Sequence, residues 1–139
     1  MPEEGTIPAI VEEEILARFL IDSDWIRADK TIRQNAFIPY PHTDLSVTRH
    51  IRLTTEEIWS SGGKVADERK RELHGRADFI ARVALKQSLR VNPDEPPRNH
   101  ANLANWPAHK PAQKIIALEL AKSCIFEPVP DSHTKRSQA

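Results

Sequence analysis

The sequence predicts an α+β domain in which a small mixed or antiparallel sheet is packed by an N-terminal and a C-terminal helix. Three observations carry this. Residues Leu45 to Leu53 alternate, with Leu45, Val47, Arg49, Ile51 and Leu53 on one face and Ser46, Thr48, His50 and Arg52 on the other, which is a strand pattern. Val11, Ile15 and Phe19 recur every four residues, which is helical spacing. Eleven prolines against four glycines argue against a helical bundle, because each internal proline removes a backbone donor.

The elements follow in order. A first helix is expected from Pro8 to Ile21, with Pro8 in its first turn and Glu12 to Glu14 favouring its N-terminal dipole. Ser23 or Asp24 caps a short turn carrying Trp25. Asn35 to Pro41 reads as an extended edge segment, and His42-Thr43-Asp44 as the turn into the Leu45 to Leu53 strand. Thr54 and Glu57 form a capping box, opening a helix at Thr55 that stops near Gly62-Gly63. The charged segment Val65 to His74 is helix-compatible, with Gly75 at C′. Ala77 to Val83 reads as a strand turning into a short helix that ends near Leu89. Asn92 to Asn99 is a proline-rich loop, His100 to Ala104 a short strand, and Pro111 opens the last helix. Residues 1–126 are expected to form one domain and 127–139 a flexible tail.

At 139 residues the chain has the length of one domain that can bury a core without staples. The single cysteine, Cys124, excludes an intramolecular disulfide and sits among apolar neighbours as an inert core thiol. No secretory or lipidation pattern opens or closes the sequence, and no apolar run approaches the roughly 20 residues of a membrane span, so the expected location is the cytoplasm.

Net charge is zero but unevenly placed. Residues 1–24 hold seven of the 20 acids and one of the 20 bases, which leaves 13 acids and 19 bases, net +6, in the rest. The acidic entry helix is therefore a candidate surface for a protein partner, or simply neutralises the basic body.

Three places could carry chemistry. Arg49 falls on the apolar face of its strand, so it forms a buried ion pair, with Asp78 one candidate carboxylate, snorkels at the strand end, or lines a cavity where it receives a phosphate or carboxylate. Gly75-Arg76-Ala77-Asp78 is a turn whose two charges contact a ligand or each other. On the strand near His100, the imidazole and Asn102 share a face and present donors and acceptors side by side. Together Arg49, Arg76 and Asn102 are the candidate ligand-binding residues, with His50 and His100 the candidate catalytic pair for proton transfer. Such a site is cationic and suits a nucleotide, RNA or a phosphorylated metabolite.

No phosphate-binding loop, dinucleotide fingerprint, metalloprotease helix or nucleophile elbow is present, so no motif names a cofactor. The six histidines lack zinc spacing, and His42, Asp44 and His50 are the nearest thing to a metal set. Arg69-Lys70-Arg71-Glu72-Leu73-His74 resembles the arginine, four-residue gap, histidine motif of the HEPN ribonucleases. That resemblance implies an all-helical fold, which the Leu45 to Leu53 strand opposes.

Two function classes remain. One is an enzyme or binding protein for an anionic ligand. The other is a non-catalytic accessory or neutralising subunit that uses the acidic first helix and Trp25, Trp59 and Trp106. Convergence of the five polar residues in one cleft favours the first, and an exposed tryptophan patch favours the second.

Overall fold

The computed structural model describes residues 6–131 and contains one six-stranded antiparallel sheet and three helices. The strands are β1 (Ile15–Leu20), β2 (Leu45–Arg49), β3 (Gly75–Ile80), β4 (Arg90–Pro93), β5 (His100–Ala104) and β6 (Ile125–Pro128). The helices are α1 (Thr55–Glu68), α2 (Ala81–Lys86) and α3 (Lys110–Ser123), and 3-10 turns lie at Ser23–Trp25 and Gln34–Phe37. Spatial order is β4-β5-β2-β1-β3-β6, which sets β1 at the centre and β4 and β6 at the edges.

The register divides the side chains between two faces. Leu16 and Leu20 of β1, Leu45 and Val47 of β2, Ala77 and Phe79 of β3, and Ala101 and Leu103 of β5 point to one face. With Ala117, Leu120 and Ala121 of α3, Ala84 of α2 and Phe37 they form the buried core. Phe37 meets Phe79 edge-to-face at 5.6 Å. The opposite face carries Ala17, Phe19, Arg76 and Asp78, and α1 lies across it, with Trp59 under the Arg76 guanidinium and Gly62 against the Phe19 ring.

Several expectations change. Pro8 to Ile21 is not a helix: its second half is the central strand β1, buried on both faces, and its first half has no regular structure. A centrally buried strand is apolar at consecutive positions, and Ile15 to Leu20 therefore also satisfies a helical stripe. The acidic first helix proposed as a partner surface is accordingly absent. Asn35 to Pro41 enters as a 3-10 turn, Gln34–Phe37, instead of an edge strand. β2 ends at Arg49, so Ile51 and Leu53 leave the sheet.

The capping box forms, with Glu57 N–H donating to Thr54 Oγ at 3.1 Å and Thr54 N–H to Glu57 Oε1 at 2.9 Å. The helix then runs through Gly62-Gly63. A Cβ at Gly62 would lie 2.7 Å from the Phe19 ring, so the glycine permits close helix–sheet approach and does not end the helix. Termination falls at Arg69 and Lys70, the latter at φ 54°, while Gly75 opens β3. β4 and β6 occupy segments expected to be loop and tail. β6 straddles the expected boundary at residue 126, and the tail from 132 lies outside the described residues. The Ala77 to Leu89 strand-to-helix reading and the His100 to Ala104 strand match β3, α2 and β5.

Candidate functional site

The five polar residues fall into three separate groups. Arg49 is fully buried on the core face. Its Nε and Nη2 donate to the Glu14 carboxylate at 2.7 and 2.9 Å, and Nη1 and Nη2 donate to the carbonyls of Pro8 and Ala9 at 2.7 and 3.1 Å. Its partner is Glu14 and not Asp78, and it holds the irregular N-terminal segment against the sheet. Arg49 is not among the residues that line the cleft at the β1–β2 gap.

Arg76 and His50 form the second group, on the α1 face. Arg76 Nε donates to both oxygens of Asp78, at 3.0 and 3.1 Å, and the guanidinium lies 4.6 Å from the Trp59 ring centroid. His50 Nε2 is 3.2 Å from the same carboxylate. Among the described residues, Arg76 Nη1 is buried without a hydrogen-bond partner. This cluster sits beneath α1 and does not line the cleft described below.

His100 and Asn102 form the third. Asp94, just past β4, is their common partner: its backbone carbonyl is 2.9 Å from His100 Nδ1 and its Oδ2 accepts from Asn102 Nδ2 at 3.0 Å. His100 Nε2 is 2.6 Å from Ser46 Oγ on β2.

A cleft lies elsewhere, and it arises from a gap in the sheet. β1 and β2 pair only at Leu16↔Arg49 and Ala17↔Thr48, and then diverge. Arg18 fills the wedge: its Nε donates to the Ala36 carbonyl at 2.8 Å and its Nη1 to the Ser46 carbonyl at 3.0 Å, so a side chain satisfies what the ladder leaves open. Beyond it lies a cleft of about 830 Å³. Its walls are Arg69 and Arg71 after α1, Trp25 beside Arg18, the Tyr40 to Asp44 loop, Lys110 and Lys114 on α3, and Ser46 and Asn102 from the sheet.

The lining holds five cationic side chains, Arg18, Arg69, Arg71, Lys110 and Lys114, against two carboxylates, Asp22 and Asp44. Among the described residues none of the five makes an ion pair with a carboxylate. Burial, and then the nearby Arg69 cation, lower the pKa of the Arg18 guanidinium to about 10. Lys110 and Lys114 stand one turn apart on α3, a like-charged spacing that costs stability unless an anion offsets it. Lys110 Nζ lies 4.7 Å from the centroid of the exposed Tyr40 ring.

Of the five polar candidates, Asn102 alone lines this cleft, with His100 behind it through Ser46. The five cations were missed as one set because they come from three distant segments of the chain. The one local signal was Arg18 interrupting an apolar run.

Other expectations resolve plainly. Arg69 and His74 do not share a helix, since Arg69 caps α1 and the His74 N–H donates to the Leu20 carbonyl ahead of β3; the antiparallel sheet further separates the chain from the HEPN pattern. Among the described residues no group of three or more His, Cys, Asp or Glu is placed to hold a metal, which removes the His42, Asp44 and His50 set. Trp59 is buried and Trp25 and Trp106 are half-buried against the core, so they form no exposed patch. Cys124 is half-buried, its Sγ 3.2 Å from the Ala121 carbonyl, and burial pushes its pKa up to about 11. Among the described residues no helix is long and apolar enough to cross a membrane. Compared with family models, curated proteins and solved structures, the chain matches none.

Proposed function

We propose that the chain is a cytoplasmic, single-domain protein whose β1–β2 cleft binds a small phosphorylated molecule of nucleotide size. The observation that carries this is Arg18: a guanidinium at the cleft floor that hydrogen-bonds to two carbonyls, lies 5.4 Å from the Trp25 ring centroid, makes no ion pair with a carboxylate among the described residues, and is crowded by a second cation, Arg69. Arranging like charges this way costs folding energy, and a bound anion recovers it. Arg71, Lys110 and Lys114 extend the positive wall to the mouth.

Size selects among the anionic ligands. A cleft of about 830 Å³ falls in the range of small-molecule sites. Single-stranded RNA would call for a longer basic groove with several stacking rings. Here Tyr40 is the exposed ring at the cleft wall, enough for one base.

A thermal-shift series tests the reading, using inorganic pyrophosphate, adenosine monophosphate and an eight-nucleotide oligouridine. The account expects one of the two small ligands to raise the melting temperature in proportion to the logarithm of its concentration. It also expects the Arg69→Ala/Arg71→Ala variant to stay folded and lose the shift. No shift with either small ligand overturns the proposal, and a shift with the oligonucleotide alone replaces it with RNA binding.

A further inference from the structure

We infer that Ser46 is a nucleophile activated by His100, and that the cleft hydrolyses an ester whose acyl portion carries a negative charge. The inference rests on the proposed anion-binding cleft for its substrate class, and on separate geometry for its chemistry.

For a neutral His100 ring, the partners of its two nitrogens set the hydrogen-bond directions. His100 Nδ1 lies 2.9 Å from the backbone carbonyl of Asp94. A carbonyl oxygen only accepts, so in the neutral ring Nδ1 carries the proton and Nε2 carries the lone pair. Ser46 Oγ, 2.6 Å from Nε2, is then the donor. This is the arrangement in which a hydroxyl delivers its proton to imidazole as it attacks. The Asp94 carboxylate, with Oδ2 3.6 Å from Nδ1, supplies negative charge beside the imidazolium that would form. Asp94 is also tied down, since its own N–H donates to the His100 carbonyl at 2.8 Å.

Position completes the case. Ser46 and Asn102 are direct cross-strand partners and both line the cleft, while His100 stands behind Ser46. Asn102 Nδ2 spends one proton on Asp94 and keeps a second for the oxyanion of a tetrahedral intermediate.

The step balances as follows. Ser46 Oγ bonds to the acyl carbon and its proton passes to His100 Nε2. The C–O bond to the alcohol then breaks, and the alcohol leaves with the proton from Nε2. Water next attacks the acyl-serine and gives a proton to Nε2. That proton returns to Ser46 Oγ as the carboxylic acid departs. No oxidant, metal or second substrate is needed beyond water.

The experiment uses the full chain and two probes. A neutral alkyl fluorophosphonate reads the nucleophile without the cationic walls. The p-nitrophenyl monoester of succinic acid, compared with p-nitrophenyl acetate, reads the walls. The expected result is a single phosphonyl adduct on Ser46, mapped by peptide mass spectrometry. It should be absent in Ser46→Ala and slowed roughly a hundredfold or more in His100→Ala, with partial recovery on adding imidazole. Melting temperatures of both variants establish that they are folded, and if His100→Ala is not, His100→Gln takes its place. The absence of an adduct on Ser46, or labelling at an unchanged rate when His100 is replaced in a folded variant, overturns the inference. Preference for the anionic ester, lost in Arg69→Ala/Arg71→Ala, links nucleophile and cleft. Labelling without that preference keeps the nucleophile and refutes the charged substrate. Pyrophosphate binding without labelling does the reverse.

Discussion

Arg49 and Glu14 meet in a two-point ion pair, Nε to Oε1 at 2.7 Å and Nη2 to Oε2 at 2.9 Å, with the arginine fully buried. The pair joins the end of β2 to the segment entering β1, 35 positions away in the chain. Removing one partner would leave the other charged and under-solvated. Arg49→Ala is therefore expected to lose about 3–5 kcal/mol of stability, read by urea denaturation. Arg49→Lys should recover little, because an ammonium cannot satisfy a carboxylate and two carbonyls in the same plane. A wild-type midpoint for Arg49→Ala would refute this scaffolding role.

Asn99 ties the β5 entry to the β2 exit. It is fully buried at φ 67°, its Nδ2 donates to the Arg49 carbonyl at 2.8 Å and also to that of Ile51, and its Oδ1 accepts from Arg52 Nε at 3.1 Å. Asn99→Ala strips these bonds and places a Cβ-bearing residue without a side-chain acceptor in the left-handed region. A loss of about 2–4 kcal/mol is expected, read by chemical denaturation. A change under about 0.5 kcal/mol would mean the network is dispensable.

Two adjacent glycines should respond in opposite directions. A Cβ at Gly62 would meet the buried Phe19 ring at 2.7 Å, so Gly62→Ala is expected to destabilise by about 1–3 kcal/mol through overpacking. A Cβ at Gly63 meets nothing within 4 Å, so Gly63→Ala should stabilise the helix by about 0.5–1 kcal/mol. Melting curves of the two variants check both signs, and equal shifts would contradict the placement of α1 on β1.

Cys124 titrates late. With its thiol pushed from 9.0 up to about 11 by burial, the folded protein holds about a hundredfold less thiolate at neutral pH than the unfolded chain. Its folded value is raised, so the stability this group contributes is fully present below pH 9 and is lost as pH climbs from about 9 toward 11. Iodoacetamide should alkylate the native protein slowly and the urea-unfolded protein quickly. Equal rates at pH 7.5 would place the thiol in solvent.

The α+β class and several elements were legible because local rules decide them. The Thr54–Glu57 box is a matter of four residues, and β5 is a five-residue alternation. β1 was not legible as a strand because burial on both faces makes Ile15 to Leu20 apolar in either period, and only pairing with β2 and β3 selects extended backbone. The cleft was still less visible. Arg18, Arg69 and Lys110 are some 40 to 50 residues apart, and what joins them is the divergence of β1 from β2, a property of register that no single segment encodes. His100 and Asn102 were legible as a polar pair, whereas the partners that give them a chemical role, Ser46 and Asp94, come from neighbouring strands.

The most direct test of the cleft is nuclear magnetic resonance of the arginine side chains during a pyrophosphate titration. Arg18 Nε–H is held by the Ala36 carbonyl at 2.8 Å, which protects it from exchange and makes it observable. The account predicts that this resonance shifts and saturates along the binding curve measured by calorimetry, and that the shift disappears in Arg69→Ala/Arg71→Ala. An unmoved Arg18 signal, with only weak non-saturating changes at surface lysines, would contradict an anion site at the cleft floor.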